Sequence, residues 1–227
     1  LATGDLDLDG RVDVVVANTA GTVSVLMGGG ATFTANFQHD ASSQGTWFEV
    51  GDLNADGVPD LAGVGLGSHR VVLLFGDGRG GFEPPVLLGF AHLLSNGQVR
   101  VGDFDADGHM DVVSSSRDDA SLAVYFGSGG GAFEPPVKFL QTPAPLDIAV
   151  EDLNRDGCAD LVVVPASSTA VTTLAGDCGR TFVPLGSFDV SPATIRVIAL
   201  ADLDGDGTAD LVAGSWNLPG TLAYSLG

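Results

Sequence analysis

Lysine is almost missing from this chain. Lys138 is the only one, and with eight arginines it makes 9 basic residues against 29 acidic ones. Nucleic acids and anionic lipid surfaces are held by Lys and Arg that neutralise phosphates, so a chain this poor in cations, with no basic cluster, is excluded as a partner of either. No apolar run approaches the roughly 18 residues that a membrane-spanning helix needs, so no membrane insertion is expected. Cysteine is limited to Cys158 and Cys178. No nucleophile elbow, phosphate-binding loop or Cys-His signature occurs, which removes the common sequence marks of an enzyme and leaves a non-catalytic protein as the expectation. His39, His69 and His92 fall in expected loops without metal-ligand spacing, so no zinc site is expected either.

What the chain has instead is one motif, five times over. Asp-x-(Asp or Asn)-x-Asp-Gly-x-x-Asp begins at Asp5, Asp52, Asp103, Asp152 and Asp202. Net charge is −20, and the five motifs hold 18 of the 29 acidic residues, so the other 11 nearly balance the 9 basic ones. The acidity therefore belongs to the loops. Positions 1, 3, 5 and 9 are Asp5, Asp7, Asp9 and Asp13; Asp52, Asn54, Asp56 and Asp60; Asp103, Asp105, Asp107 and Asp111; Asp152, Asn154, Asp156 and Asp160; and Asp202, Asp204, Asp206 and Asp210. Four oxygen-bearing side chains on one tight turn suit a hard cation, and calcium takes six to eight oxygens, with the position-6 glycine giving the backbone freedom for the turn. The plainer alternative is an Asp-Gly hairpin with no ion. Against it, no loop contains Lys and only two contain Arg, at Arg11 and Arg155, so the converging carboxylates would repel unless a cation neutralised them. An EF-hand is excluded because position 12, where a bidentate Glu belongs, is Val16, Gly63, Ser114, Val163 or Ala213 and because helical periodicity is missing around the loops.

Aligned on the first Asp of each motif, the chain divides into repeats at residues 1–47, 48–98, 99–147, 148–197 and 198–227. A period near 50 signals a repeat architecture within a single domain, 1–227. Each repeat opens on alternating residues, as in Phe48-Glu49-Val50, which reads as a first strand. After the acidic loop comes a continuous β-branched run such as Asp160-Leu161-Val162-Val163-Val164, which reads as a second strand buried on both faces. A third strand, for example Val23 to Met27 or Leu122 to Phe126, ends at a glycine each time. The following turn, Gly76 to Gly81, satisfies G-x-G-x-x-G, but it runs into Phe82-Glu83-Pro84-Pro85-Val86 rather than a helix, so it is a hairpin turn and not a dinucleotide site. Phe-Glu-Pro-Pro-Val recurs at Phe133 to Val137, and adjacent prolines place the fourth strand at an outer edge.

Four antiparallel strands per repeat predict an all-β fold, a β-propeller of four-stranded antiparallel blades. The last repeat ends at the glycine closing its third strand and is expected to lack an outer strand. The five repeats then form either a five-bladed propeller or part of a six- to eight-bladed one. At this point the chain resembles the FG-GAP repeats of integrin alpha-subunit propellers and the VCBS repeats of bacterial secreted proteins and propeller lectins. The resemblance rests on Gly-Asp-Leu-Asp-x-Asp-Gly-x-x-Asp-Leu-Val followed by a Gly-rich turn and Phe. It implies about five Ca2+, one per loop, with Asn54 and Asn154 as neutral oxygen ligands. Position 7, namely Arg11, Val58, His109, Cys158 and Thr208, would contribute only its backbone carbonyl.

Cys158 lies in the fourth acidic loop and Cys178 in the turn between the third and fourth strands of the same repeat, two turns on one side of a blade. A disulfide between them is expected, with two unpaired thiols as the alternative, and a bridge suits an oxidising compartment. Loops on the opposite face differ most between repeats and are expected to carry function. There lie Trp216, Asn217, Arg117, Asp118, Asp119, His39, His69, Arg70 and His92, with Trp47 at a strand start; each Trp is alternatively half-buried between blades. The expectation is a calcium-stabilised, secreted or cell-surface, bacterial binding or adhesion module that recognises a glycan or an extracellular protein. The propeller part of a secreted polysaccharide-degrading enzyme, or a structural spacer, are the alternatives.

Overall fold

The computed structural model describes all residues except 31, 42–44, 66–69, 90–96, 119, 141–142, 191–193, 216–221 and 226–227. Among the described residues there are nineteen strands and no helix. They form five antiparallel meanders. Blade 1 is β1 (Ala2–Gly4), β2 (Asp13–Ala17), β3 (Thr22–Gly28) and β4 (Phe33–Asp40); blade 2 is β5 (Gly45–Gly51), β6 (Asp60–Gly65), β7 (Arg70–Leu74) and β8 (Val86–Leu87). Blade 3 is β9 (Val99–Gly102), β10 (Asp111–Ser116), β11 (Ser121–Tyr125) and β12 (Val137–Leu140); blade 4 is β13 (Pro145–Glu151), β14 (Asp160–Pro165), β15 (Ala170–Gly176) and β16 (Phe182–Asp189). Blade 5 has three described strands, β17 (Val197–Ala201), β18 (Asp210–Gly214) and β19 (Leu222–Ser225). The repeat starts at Phe48 and Ile148 lie inside β5 and β13, because the first strand begins before its most regular alternation.

First strands of successive blades lie against one another, β1 on β5, β5 on β9, β9 on β13 and β13 on β17. They are therefore the inner strands, around the propeller axis. The core is divided among the gaps between blades. Ala62, Val64, Val71 and Leu73 of blade 2 meet Val99, Val112, Ala123 and Tyr125 of blade 3, and equivalent clusters join blades 1 and 2, 3 and 4, and 4 and 5. A middle strand in this arrangement is covered on both faces, which is why β10 and β14 are buried throughout.

In blades 1 to 4 the glycine at or just after the end of the third strand has a steric reason. A Cβ on Gly28, Gly76, Gly127 or Gly176 would stand 2.3–2.4 Å from the carbonyl oxygen of Val12, Pro59, Met110 or Ala159, at the end of the acidic loop. The double prolines differ from expectation: Pro84-Pro85 and Pro135-Pro136 precede β8 and β12 rather than sitting in them. They shorten the outer strand. Where the pair is missing, β4 and β16 each run eight residues. His39, expected in a loop, is instead on β4, with its ring edge-on to Phe82 at 5.2 Å.

Candidate metal loops and the opposite mouth

Every acidic loop joins the innermost strand of its blade to the next, and its last Asp is the first residue of that second strand, paired with the end of the first: Gly4 with Asp13, Gly51 with Asp60, Gly102 with Asp111, Glu151 with Asp160, and Ala201 with Asp210. The turn is made by two left-handed residues. Position 4 has φ near 60° at Leu8, Ala55, Ala106 and Arg155 and 81° at Gly205, and the position-6 glycines lie at 83–88°. Nothing stands within 4 Å of a Cβ built on Gly10, Gly57, Gly108 or Gly157, so glycine is required there for its φ and not for space.

The carboxylates are ordered by the loop's own backbone. The position-1 Asp accepts the N–H of position 6, at 2.8 Å from Gly10 to Asp5 and 2.9 Å in the other four loops. The position-5 Asp accepts the N–H of position 7 at 2.7–2.9 Å. Position 9 has a second task that its spacing did not reveal. Asp13, Asp60, Asp111 and Asp160 each accept the position-2 N–H on one oxygen, and on the other the N–H of Gly28, Gly76, Gly127 or Gly176. One buried carboxylate thus ties the acidic loop to the far end of the third strand. Burial pushes the Asp60 and Asp111 carboxyls up to about 6, against the pull of those N–H donors.

In loops 1 and 3, ligand oxygens of positions 1, 3 and 9 (Asp5, Asp7, Asp13; Asp103, Asp105, Asp111) come within 4.8 Å of one another, and in loop 5 those of Asp202, Asp204 and Asp206 do. Loops 2 and 4 have Asn at position 3, whose amide nitrogen donates to the position-5 carboxylate, Asn54 to Asp56 at 3.0 Å and Asn154 to Asp156 at 2.9 Å. The donor set fits a hard cation, and one atom tests the fit most sharply. Asp105 Oδ1 is buried and has no hydrogen-bond partner, a costly state for a carboxylate oxygen unless a cation completes it.

Position 7 is more than a backbone carbonyl. The Arg11 guanidinium pairs with Asp9 at 3.0 Å, the Thr208 hydroxyl donates to Asp206, and Cys158 is bonded to Cys178 with the Cα atoms 5.3 Å apart. Neighbouring blades also reach across. Arg155 of loop 4 donates to Gly207 O of loop 5. Arg180, in the turn after β15, lies 4.6 Å over the Phe126 ring and pairs with Asp105 at 2.7 Å and Glu134 at 2.6 Å.

The opposite end of the barrel of blades has no repeated chemistry. A cavity of about 430 Å³ is lined there by Trp47 of blade 2, Gln98 and Arg117 of blade 3, Leu146 and Asp147 of blade 4, and Arg196 and Val197 of blade 5. Four blades meet only around the axis, so this is the axial mouth. Counted back from the first Asp of each motif, Trp47, Gln98, Asp147 and Val197 occupy one repeat position, five residues before it. Glu49 and Arg100, three residues before, line a deeper cavity of about 290 Å³. Arg100 pairs with Asp147 at 3.1 Å and Glu49 at 3.5 Å and lies 5.3 Å from the Trp47 ring centroid. Asp147 is 1% exposed and also accepts the N–H of Ile148 and of Ile198, both at 2.9 Å. Burial raises the carboxyls of Asp147 and Glu49, and Arg100 opposes that rise.

Of the residues expected on this face, Trp47 and Arg117 reach the mouth together. Asp118 is exposed beside Arg117 in the β10–β11 turn, and Arg70 begins β7 at the same end of blade 2. His69, His92, Asp119, Trp216 and Asn217 lie outside the described residues. Gln98, Arg100, Asp147, Arg196 and Glu49 were not singled out from sequence. The signal was available, since reading the first strands in register puts charged or polar groups where other repeats have Ala or Val.

A family model described as FG-GAP-like repeat matches residues 5–63, 103–163 and 152–213. No curated protein sequence matches the chain. Among solved structures, a lectin from Agrocybe aegerita, described as specifically recognising non-reducing terminal N-acetylglucosamine, aligns with TM-score 0.64 and 20% identity over 93% of this chain and 59% of its own. BBS1N, solved in complex with ARL6DN, aligns with TM-score 0.54 and 13% identity over 93% of this chain and 73% of its own. The Photorhabdus luminescens Tc holotoxin pore aligns with TM-score 0.54 and 18% identity over 96% of this chain and 11% of its own. At these identities the likeness is one of fold. The chain spans 59% of the lectin's length.

Proposed function

The chain belongs to the FG-GAP-like repeat family, and from that premise we propose that it is a calcium-stabilised, non-catalytic, extracellular binding module that takes a glycan at the end of the propeller opposite its acidic loops. Calcium would be held by positions 1, 3, 5 and 9 of each loop and would supply positive charge that neutralises the converging carboxylates and rigidifies the hairpins. The rest is done by the chain itself. Position-9 carboxylates tie loop to third strand, and the blades position the opposite mouth without any catalytic group being required of them.

The observation that carries this reading is the segregation of chemistry: ligand-type oxygens, including the orphaned Asp105 Oδ1, gather at one end, while Trp47, Gln98 and two guanidinium groups gather at the other. The lectin neighbour supports a glycan over other partners. The Cys158–Cys178 bridge supports an oxidising, extracellular setting. Weak sites with dissociation constants of roughly 10⁻⁴ to 10⁻³ M would fill outside the cytosol and not within it. Each filled site adds about 2.7 kcal/mol at a hundredfold excess of calcium over its dissociation constant. Thermal melts in calcium and in chelator, with elemental analysis of the purified protein and a glycan array in calcium, test the reading. A melting temperature indifferent to chelator would overturn the calcium part, and an array without binding would overturn the glycan part.

A further inference from the structure

The axial mouth combines groups that a neutral sugar does not require. Three of the chain's nine basic residues, Arg100, Arg117 and Arg196, stand at or just beneath it. They are not equivalent. Arg100 is engaged with Asp147 and Glu49, so the floor is an internally satisfied ion cluster whose carboxylates are already occupied. Among the described residues, no hydrogen bond or ion pair engages the guanidinium of Arg117 or of Arg196, and both residues are exposed at the rim. Gln98, between them and Trp47, keeps a buried side-chain oxygen with no partner, an acceptor awaiting a hydroxyl or amide donor. Trp47 adds an apolar ring surface to the wall. In a protein of net charge −20, the two unpaired rim cations outweigh the single net negative charge of the floor, where Arg100 faces two carboxylates, and set positive charge where an acidic ligand can be desolvated.

We propose that this axial mouth is a subsite for a carboxylated sugar, a uronate or ulosonate unit of an acidic glycan, anchored by Arg117 and Arg196, contacted by the Trp47 ring and hydrogen-bonded to Gln98. It rests on the glycan-binding reading above and names the substrate class. The volume suits one or two sugar units. The planar guanidinium matches a carboxylate in a way an ammonium does not. A pyranose supplies the hydroxyl donors that Gln98 Oε1 lacks and an apolar face for the indole.

The test is calorimetric titration in calcium of oligogalacturonate, of sialyllactose, of the neutral sugars galactose and lactose, and of inorganic phosphate. The proteins are wild type and Arg117→Gln/Arg196→Gln. Both positions are exposed at the rim, so the fold should survive, and an unchanged melting temperature checks it. The expected result is binding of at least one carboxylated sugar, weakened by added salt and reduced roughly 10- to 100-fold in the double variant, as loss of charge-assisted hydrogen bonds requires. Three results would overturn the proposal: no carboxylated sugar binds, the double variant binds it equally well, or phosphate binds as tightly as the sugars, which would make the mouth a general anion site. If a glycan array at the same time reports a neutral ligand, the binding module stands and only the acidic class falls. If the array is blank as well, both fall.

Discussion

At the loop end of the propeller, one set of side chains recurs five times with only Asn54 and Asn154 departing from Asp. At the other end, a single repeat position carries Trp47, Gln98, Asp147 and Val197, four different chemistries. The two ends are made by the same strands. The difference lies in what each end must satisfy. A loop that turns through two left-handed residues and brings carboxylates together has few solutions, because each oxygen must find a backbone N–H or an ion. The inner strand's far end has no such demand, so its side chains are free to differ and to form one asymmetric site from symmetric blades.

The comparison is broken most severely where the loop end is also the scaffold. Asp111→Ala, measured in chelator so that no ion is involved, removes the acceptor of both Phe104 N and Gly127 N. Two buried donors lose their partner, and a loss of roughly 2–5 kcal/mol in denaturant unfolding is expected. A loss under ~1 kcal/mol would mean that position 9 serves only metal.

The floor of the opposite mouth should be almost as sensitive. Arg100→Met strands Asp147 as a buried carboxylate without its partner and is expected to cost about 3 kcal/mol near pH 8. The sign of its pH dependence follows from burial. A carboxyl raised in the fold contributes stability below its ordinary range, and that contribution is lost as pH rises through the folded value. Arg100 is the charge that holds Asp147 and Glu49 down. Without it, the variant should recover part of its loss as pH falls from 8 to 5, as read from denaturant midpoints. A deficit that is constant across that window would contradict this.

Reducing Cys158–Cys178, which closes a separation of 20 residues, should cost roughly 3 kcal/mol in the chain-entropy account. Calorimetry with and without reductant reads it. The effect belongs to blade 4, and glycan binding at the mouth should survive below the lowered melting temperature. The smallest effect sharpens the claim that the loop's shape is dictated by φ. Ala106→Gly relieves a left-handed alanine at φ 58°, and after the extra freedom of the unfolded chain is subtracted it should stabilise by about 0.5 kcal/mol. A destabilising shift would show that the strain is absorbed elsewhere.

Much of this was legible in the sequence. The acidic loops, the continuous apolar second strands and the glycine after each third strand carry their physics locally, within a few residues. What escaped was the work of groups whose partners are distant in sequence. Asp111 meets Gly127 across a whole hairpin and Arg180 meets Asp105 across 75 residues, so neither role is visible in motif spacing. In the sequence Arg100 is one polar residue in the alternating run Val99-Arg100-Val101. Only the ring of inner strands brings it between Glu49 and Asp147. Position 7 is expected to offer a cation only its backbone carbonyl, and apart from the disulfide expected at Cys158 nothing in the spacing announces the side-chain bonds of Arg11 and Thr208 to the position-5 carboxylate.

The division between the two ends is tested most directly by titrating calcium and the bound glycan into two proteins in parallel, Asp105→Ala and Arg117→Gln/Arg196→Gln. The account predicts that Asp105→Ala, which removes the position-3 oxygen that even the Asn-bearing loops keep, loses calcium uptake at loop 3 and keeps wild-type glycan affinity at saturating calcium, while the double arginine variant keeps its calcium and loses the glycan. Loss of glycan binding in Asp105→Ala with the fold intact, and its retention in the double variant, would place the ligand on the calcium face and contradict the account.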